Sequence, residues 1–321
     1  MKNKSMSSLY LFVVIFTSVI LASCNSGIKS DKFYEVINES ELQNYDLNKN
    51  QLVPWGLRYQ NIQFKPLSSK KIRVAIMDSG IDASHKDLEG KVLKEYNAIE
   101  DNVYSTSVDV FGHGTAIAGI ISAIDNDFGI LGVTQNVELV SVKVLDDEGR
   151  GNIDDFVKGI KWCIENDVEI INMSFGIMRD HELLKESINE AVNNGILIVA
   201  SVGNKFRNEV DYPAAYQNVI SVTGIDSFEK KLSSAATGKV DFSAPGVDVL
   251  SLAPGDKYGV FTGTSYATAY ITGAIANILS AREIEKNQSI SSVVKEELVD
   301  ISKDIGNKGY DELFGYGSLS K

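Results

Sequence analysis

The stretch Val74-Ala75-Ile76-Met77-Asp78-Ser79-Gly80 decides the fold class. Four consecutive apolar residues end in a carboxylate and a turn-forming Ser-Gly. The run is uniformly apolar rather than alternating, so it reads as a strand covered on both faces. Four similar runs follow: Val137–Val144, Val168–Met173, Ile196–Val202 and Val219–Thr223. Between them, Ile153, Phe156, Val157, Ile160 and Ile164 recur at helical spacing, as do Leu184, Ile188, Ala191 and Val192. With the first run at Ile72–Met77, this alternation predicts an α/β fold: a doubly wound, mostly parallel sheet with helices on both faces, in one catalytic-sized domain. In such sheets chemistry collects beyond the carboxyl ends of the strands.

Outward from that core, the 321 residues hold 44% hydrophobic and 23% charged side chains, the balance of a globular protein rather than a disordered or fibrous one. Lys and Arg number 31 against 43 Asp and Glu, a net charge of −12 that argues against a nucleic-acid partner. The two cysteines, Cys24 and Cys163, are too few for a disulfide framework, and Cys163 reads as a small buried hydrophobe.

The N-terminus reads as an export signal. Lys2 and Lys4 precede a 13-residue apolar run from Leu9 to Leu21, shorter than the ~20 residues that span a bilayer. The run ends in Leu21-Ala22-Ser23-Cys24. This resembles the lipobox of bacterial lipoproteins, with residues 1–23 removed and Cys24 acylated; a plain secretory signal beside an accidental cysteine is the other reading. Cleavage leaves a net charge of about −14. Residues 24–50 carry few apolar positions and read as a lipid anchor and polar tether, reaching roughly 30 Å as a flexible coil. From Gln51 to Lys321 the texture is globular, without repeats.

Four motifs carry chemistry. Of the three histidines, His181 lies in a polar helix start and reads as solvated, and His85 follows a turn between acidic residues. His113 alone sits between glycines, in Gly112-His113-Gly114-Thr115, heading a small-residue helix to about Ile124. Asp78 ends the buried run, where a carboxylate needs donors such as an imidazole N–H. Ser265, in Gly263-Thr264-Ser265-Tyr266, opens a helix whose amide groups suit an oxyanion. Asn204 ends the apolar Ala200-Ser201-Val202-Gly203 and offers a side-chain amide. Taken singly, each also reads as a cap or a turn.

In the order Asp78, His113, Asn204, Ser265 they resemble the subtilisin-like serine proteases, the subtilases. The likeness runs from Gln51 to about Gly317 and includes Asp78-Ser79-Gly80-Ile81-Asp82, His113-Gly114-Thr115, Ile171-Asn172-Met173-Ser174-Phe175-Gly176 and Gly263-Thr264-Ser265. It implies a peptide-cleaving serine endopeptidase. Ser265 would be its nucleophile, His113 the base, Asp78 the orienting carboxylate and Asn204 an oxyanion donor. The resemblance further implies a structural calcium held by Gln51, Asp87, Asn126 and the carbonyls of Ile124, Phe128 and Ile130. It implies a pocket for the residue before the scissile bond, built from Ser174, Phe175, Gly176, the segment Ala200–Asn204 and the stretch before Tyr212-Pro213.

At that last position many degradative subtilases have a small residue; here it is Asp211, which at the pocket base would favour Arg or Lys. An exposed Asp211 paired with Lys205 or Arg207 is the alternative. Gly149 and Gly151, beside the acidic Asp146-Asp147-Glu148, would pair an extended substrate.

The family's Gly-Thr-Ser-Met-Ala-(Thr/Ser)-Pro-His is altered: Tyr266 replaces the Met, and Ala269-Tyr270 the Pro-His. Residues 25–50 are too short for the family's usual inhibitory prodomain, so unaided folding or a reduced inhibitory segment is expected. The expected protein is a monomeric, exported, lipid-anchored endopeptidase on the outer face of a bacterial membrane. It would mature a peptide or protein after a basic residue, as lantibiotic leader peptidases of this family do. A broad degradative enzyme and a non-catalytic peptide-binding lipoprotein are the alternatives.

Overall fold

The computed structural model describes residues 35–37, 51–61, 71–103, 108–205, 209–282 and 289–320. The expected signal peptide, Cys24 and most of the tether lie outside the described residues.

The apolar runs form the strands their composition demands. In chain order the framework comprises β1 (Glu35–Ile37), α1 (Trp55–Gln60), β2 (Ile72–Asp78), β3 (Val92–Asn97) and α2 (His113–Ser122). Next come β4 (Val137–Lys143), α3 (Ile153–Glu165), β5 (Ile170–Met173), α4 (Glu182–Asn193) and β6 (Leu197–Ser201). Then follow β7 (Ile220–Ile225), β8 (Phe242–Pro245), β9 (Val249–Ala253), β10 (Lys257–Phe261), α5 (Thr264–Ala281), α6 (Ile290–Asp300), β11 (Ser302–Lys303) and β12 (Ser318–Leu319).

One sheet has the order β11-β12-β8-β7-β6-β5-β2-β4-β3. Every pairing in it from β12 to β3 is parallel, and only β11 runs antiparallel. The side chains of β2 show why both faces are apolar. Val74 and Ile76 join a core shared with α2 and α5, while Ala75 and Met77 join one shared with α3 and α4. The molecule is thus a doubly wound α/β domain. Its topological switch lies at β2, flanked by β4 on one side and β5 on the other, and ligands bind at such a switch.

A second, small sheet orders β1-β10-β9, all antiparallel. This corrects part of the tether reading. Residues 35–37 are not free coil but a strand on the edge of β10, with Ile37 opposite Tyr258. The exposed edge of a sheet offers unpaired backbone amides to which such a strand can add.

Candidate active site

The carboxyl ends of β2, β5 and β6 lie side by side, and the candidate residues sit there. Asp78 is the last residue of β2 and is fully buried. His113 begins α2, whose N-terminal residue Gly112 has a φ of 88°, a conformation that favours glycine. Gly114 is needed for contact rather than conformation: a Cβ there would come within 2.0 Å of the Gly80 carbonyl oxygen. The close approach sets the imidazole against the carboxylate. His113 Nδ1 stands 2.8 and 2.9 Å from the two Asp78 oxygens. Because the carboxylate can only accept, Nδ1 carries the proton and Nε2 is left as the acceptor. His113 Nε2 is buried and has no hydrogen-bond partner among the described residues.

Burial opposes a charged imidazole, but the Asp78 charge and hydrogen bond, with Asp109 behind them, outweigh it and raise the pKa of His113. The other histidines are otherwise engaged. His85 is buried, accepting from the Asp87 N–H at 3.1 Å and facing the Lys257 carbonyl at 3.0 Å. His181 is less solvated than expected: it precedes α4 as the capping residue, and its Nδ1 is buried.

Ser265 lies in the first turn of α5, 2% exposed. Its hydroxyl donates to the carbonyl of Ser174 at 2.8 Å, and the Ser174 hydroxyl returns a bond to the Ser265 carbonyl at 3.1 Å. The neighbouring Tyr266 ring lies 5.5 Å from the His113 ring and 5.1 Å from Phe261. Tyr266 therefore packs the start of α5 against the imidazole. Asn204 Oδ1 accepts from the Thr264 N–H at 3.0 Å. That bond fixes which end of the amide is which and turns the NH₂ group toward Gly263, whose added Cβ would lie 3.3 Å from it. Asp78 thus pairs with His113, Asn204 pairs with the start of the Ser265-bearing helix, and the Tyr266 ring of that helix meets the His113 ring.

The pocket segments meet nearby. Ile177 and Tyr212 exchange backbone hydrogen bonds of 2.8 Å, and the Asp211 N–H donates to the Val202 carbonyl at 3.0 Å. The Asp211 side chain lies between two glycines. Its Cβ is 2.6 Å from where a Gly176 Cβ would be, and its Oδ2 is 2.5 Å from where a Gly203 Cβ would be. Asp211 is buried at 4% exposure, which sets aside the exposed alternative, yet Lys205 Nζ still reaches its Oδ2 at 3.3 Å. Phe175 packs on Phe156 of α3 at 4.5 Å between ring centroids, anchoring this wall to the core.

Gly149 and Gly151 belong to a tight hairpin. Gly149 has a φ of 74°, and Gly151 bridges Leu145. The ring of Phe111 covers Gly149 and lies 6.3 Å from the His113 ring, a contact the sequence did not announce.

The six positions expected to hold a cation also converge. The Gln51 side-chain amide contacts the Ile124 carbonyl at 2.6 Å, the Ile130 carbonyl at 3.1 Å and Asn126 Oδ1 at 3.3 Å. The Phe128 N–H donates to Asn126 Oδ1 at 3.0 Å. Asp87 Oδ2 accepts from the Ile130 N–H and the Tyr258 hydroxyl, while its buried Oδ1 has no partner among the described residues. Among the described residues no three His, Cys, Asp or Glu side chains cluster so as to hold a metal ion. One carboxylate, the Asn126 amide oxygen and backbone carbonyls suit a hard cation, whereas Gln51 turns its NH₂ group toward them and would offer its oxygen only with the amide turned over.

Comparison with known proteins agrees with this geometry. Residues 69–317 match the model of the subtilase family. The chain is 36% identical over 278 residues to subtilisin E of Bacillus subtilis, covering 84% of this chain and 70% of that protein. It is 36% identical over 279 residues to subtilisin DY of Bacillus licheniformis, covering 84% and 97%. It is likewise 36% identical over 252 residues to a thermostable alkaline protease of Halalkalibacterium halodurans, covering 77% and 68%. With a parallel sheet, a carboxylate–imidazole pair and a helix-borne serine in the family's order, the chain belongs to the subtilases and is a serine endopeptidase.

Proposed function

We propose that Asp78, His113 and Ser265 form the catalytic triad and that Asn204 completes the oxyanion hole. The observation that carries this reading is the paired contact of His113 Nδ1 with Asp78, which leaves Nε2 as a free acceptor beside the serine-bearing helix. A single hydroxyl proton makes one bond at a time, so Ser265 Oγ leaves the Ser174 carbonyl when it engages Nε2. Oγ then attacks the scissile carbonyl carbon while Nε2 takes the hydroxyl proton. Asp78 stabilises the imidazolium without becoming protonated. The negative oxygen of the tetrahedral intermediate accepts from Asn204 Nδ2 and from the amide N–H at the start of α5. As that intermediate collapses, the Nε2 proton passes to the departing amine, and water repeats the sequence on the acyl-enzyme.

The pocket between Gly176 and Gly203, with Asp211 buried beside them, supports cleavage after a basic residue, Arg before Lys. The hairpin of Gly149 and Gly151 would flank the extended substrate. The residues around Gln51 and Asp87 would hold a calcium ion, which would lock the N-terminal segment against the loop at 124–130 and take no part in the reaction. Lys2, Lys4, the apolar run and Cys24 support export and lipid anchoring on the outer face of a membrane. No described helix is long and apolar enough to cross one. An anchored, narrow-specificity enzyme fits the maturation of an exported, leader-bearing precursor better than broad digestion.

A fluorophosphonate probe followed by cleavage-site profiling tests the reading. Labelling of the folded protein that disappears in Ser265→Ala, with Arg enriched before the cut, is the expected result. Folded protein that takes no label would refute the catalytic assignment.

A further inference from the structure

A second carboxylate lies behind the Asp78–His113 pair. Asp109 is 1% exposed. Its Oδ1 accepts from the Ser79 hydroxyl and the Gly112 N–H, both at 2.7 Å. Its Oδ2 accepts from the Thr115 N–H at 2.8 Å and the Thr115 hydroxyl at 2.6 Å. The two hydroxyls are themselves held by neighbours. Ser79 Oγ accepts from the Gly114 N–H at 3.1 Å, and Thr115 Oγ1 from the Asp82 N–H at 2.9 Å.

The Ser79 and Thr115 hydroxyls and the Gly112 and Thr115 N–H groups thus converge on Asp109, and Ser79 Oγ also stands 3.2 Å from Asp78 Oδ1. The donors come from two places only: the turn that follows Asp78, and the first turn of the helix headed by His113. One buried carboxylate thus rivets the segment bearing the acid to the segment bearing the base. We propose that Asp109 is a positioning residue for catalysis, fixing the distance and angle between Asp78 and His113.

An ordinary helix cap would not need this arrangement. A cap bonds one helix end, whereas Asp109 also spans to Ser79, the residue that follows Asp78. The amide isostere would be wrong here. Asn presents an NH₂ to two of four fixed donors, leaving them opposed rather than bonded. Other charged or titratable groups around the pair do not duplicate the role. Lys143 from β4 donates to the Ser79 carbonyl at 2.6 Å and to Asp147, the Tyr266 ring from α5 lies against the imidazole and Phe261, and Asp82 enters through its backbone N–H. Asp109 also helps hold the imidazole pKa up, a smaller effect than that of Asp78.

The inference rests on the catalytic roles proposed for Asp78 and His113, and the experiment separates the two. Full-length Asp109→Asn is compared with the parent and with Ser265→Ala for kcat, KM, the pH profile of kcat/KM and thermal melting. The expected result is kcat lower by about tenfold to a hundredfold. KM should stay within about twofold, and the acid limb should move to lower pH. A folded Asp109→Asn with parental kcat and an unmoved acid limb overturns the inference, even if Ser265→Ala is dead. If Ser265→Ala stays active, the catalytic reading itself fails. Should Asp109→Asn not fold, Thr115→Val decides: kcat lower by about fivefold at unchanged KM supports the rivet, and parental kcat overturns it.

Discussion

Lys205 Nζ stands 3.3 Å from Asp211 Oδ2, so the carboxylate between Gly176 and Gly203 already has a cation from its own chain. Lys205 keeps 16% of its side chain exposed against 5% for Asp211, which makes the lysine the movable partner. An incoming Arg must displace or share with it. A hydrogen bond to a charged group is worth about 1.5–3 kcal/mol, so Asp211→Ala should lower the Arg-over-Phe ratio of kcat/KM by about tenfold or more. Lys205→Ala should raise that same ratio by freeing the acceptor. A peptide series differing only before the cut measures both; ratios that stay put in both variants would remove Asp211 from the specificity pocket.

The raised pKa of His113 sets the pH dependence. Catalysis needs neutral Nε2, so kcat/KM should fall as pH drops through a value above the ~6.5 of a free imidazole. Stability runs the other way. The protonated His113–Asp78 pair contributes fully below the unfolded-state value, and that contribution is lost as pH rises through the folded-state value. Asp78→Asn should move the acid limb down and cut kcat by about 10⁴-fold, since the imidazole loses its oriented tautomer. A pH–rate profile of the parent with its acid midpoint below 6 would contradict the assignment.

Chelation should destabilise the fold. Gln51 and Asp87 reach the loop at 124–130 across more than forty residues of sequence each, so a cation there closes two long segments at once. A site filled to about a hundred times its dissociation constant adds about 2.7 kcal/mol, which for a domain of this size is about 5–10 °C in Tm. Excess EDTA should remove that increment from the parent and none from Asp87→Ala. Equal melting curves with and without EDTA would count against the cation.

The central strands were legible because sheet burial leaves a signature no other element shares. β2, β4, β5, β6 and β7 all appear where runs rich in Val and Ile occur, with ends moved by a residue or two. β3 was not legible. It is the sheet's edge, its Leu93 and Lys94 are exposed, and its composition matches a surface loop. β8 to β10 are four or five residues long, and β8 ends in Pro245, too short for a period to declare itself. At the site, His113 could be singled out by its flanking glycines. Asp109, four residues earlier, could not: an acidic residue ahead of a helix is ordinary, and its reach to Ser79 exists only in three dimensions. Asp211 shows the same limit. Burial and pairing with Lys205 stood as alternatives in sequence, and the fold makes both true.

Gly114 offers the sharpest test of how tightly the dyad is built. A Cβ at this position would sit 2.0 Å from the Gly80 carbonyl and 3.2 Å from Asp78 Cβ. Both are on the turn that ends β2, and backbone cannot rotate away as a side chain end would. Gly114→Ala gains up to about 1 kcal/mol of helix propensity but must push α2 off β2, an overpacking cost of about 1–3 kcal/mol. The shift falls on His113 itself, one residue away. A displacement on the order of 1 Å between base and carboxylate can cost about a hundredfold in rate, so activity should fall much further than stability. Thermal melting beside kcat distinguishes the two. A Gly114→Ala enzyme with parental kcat would mean that α2 can move without carrying the imidazole, and the close packing of Gly114 on Gly80 would then have no catalytic purpose.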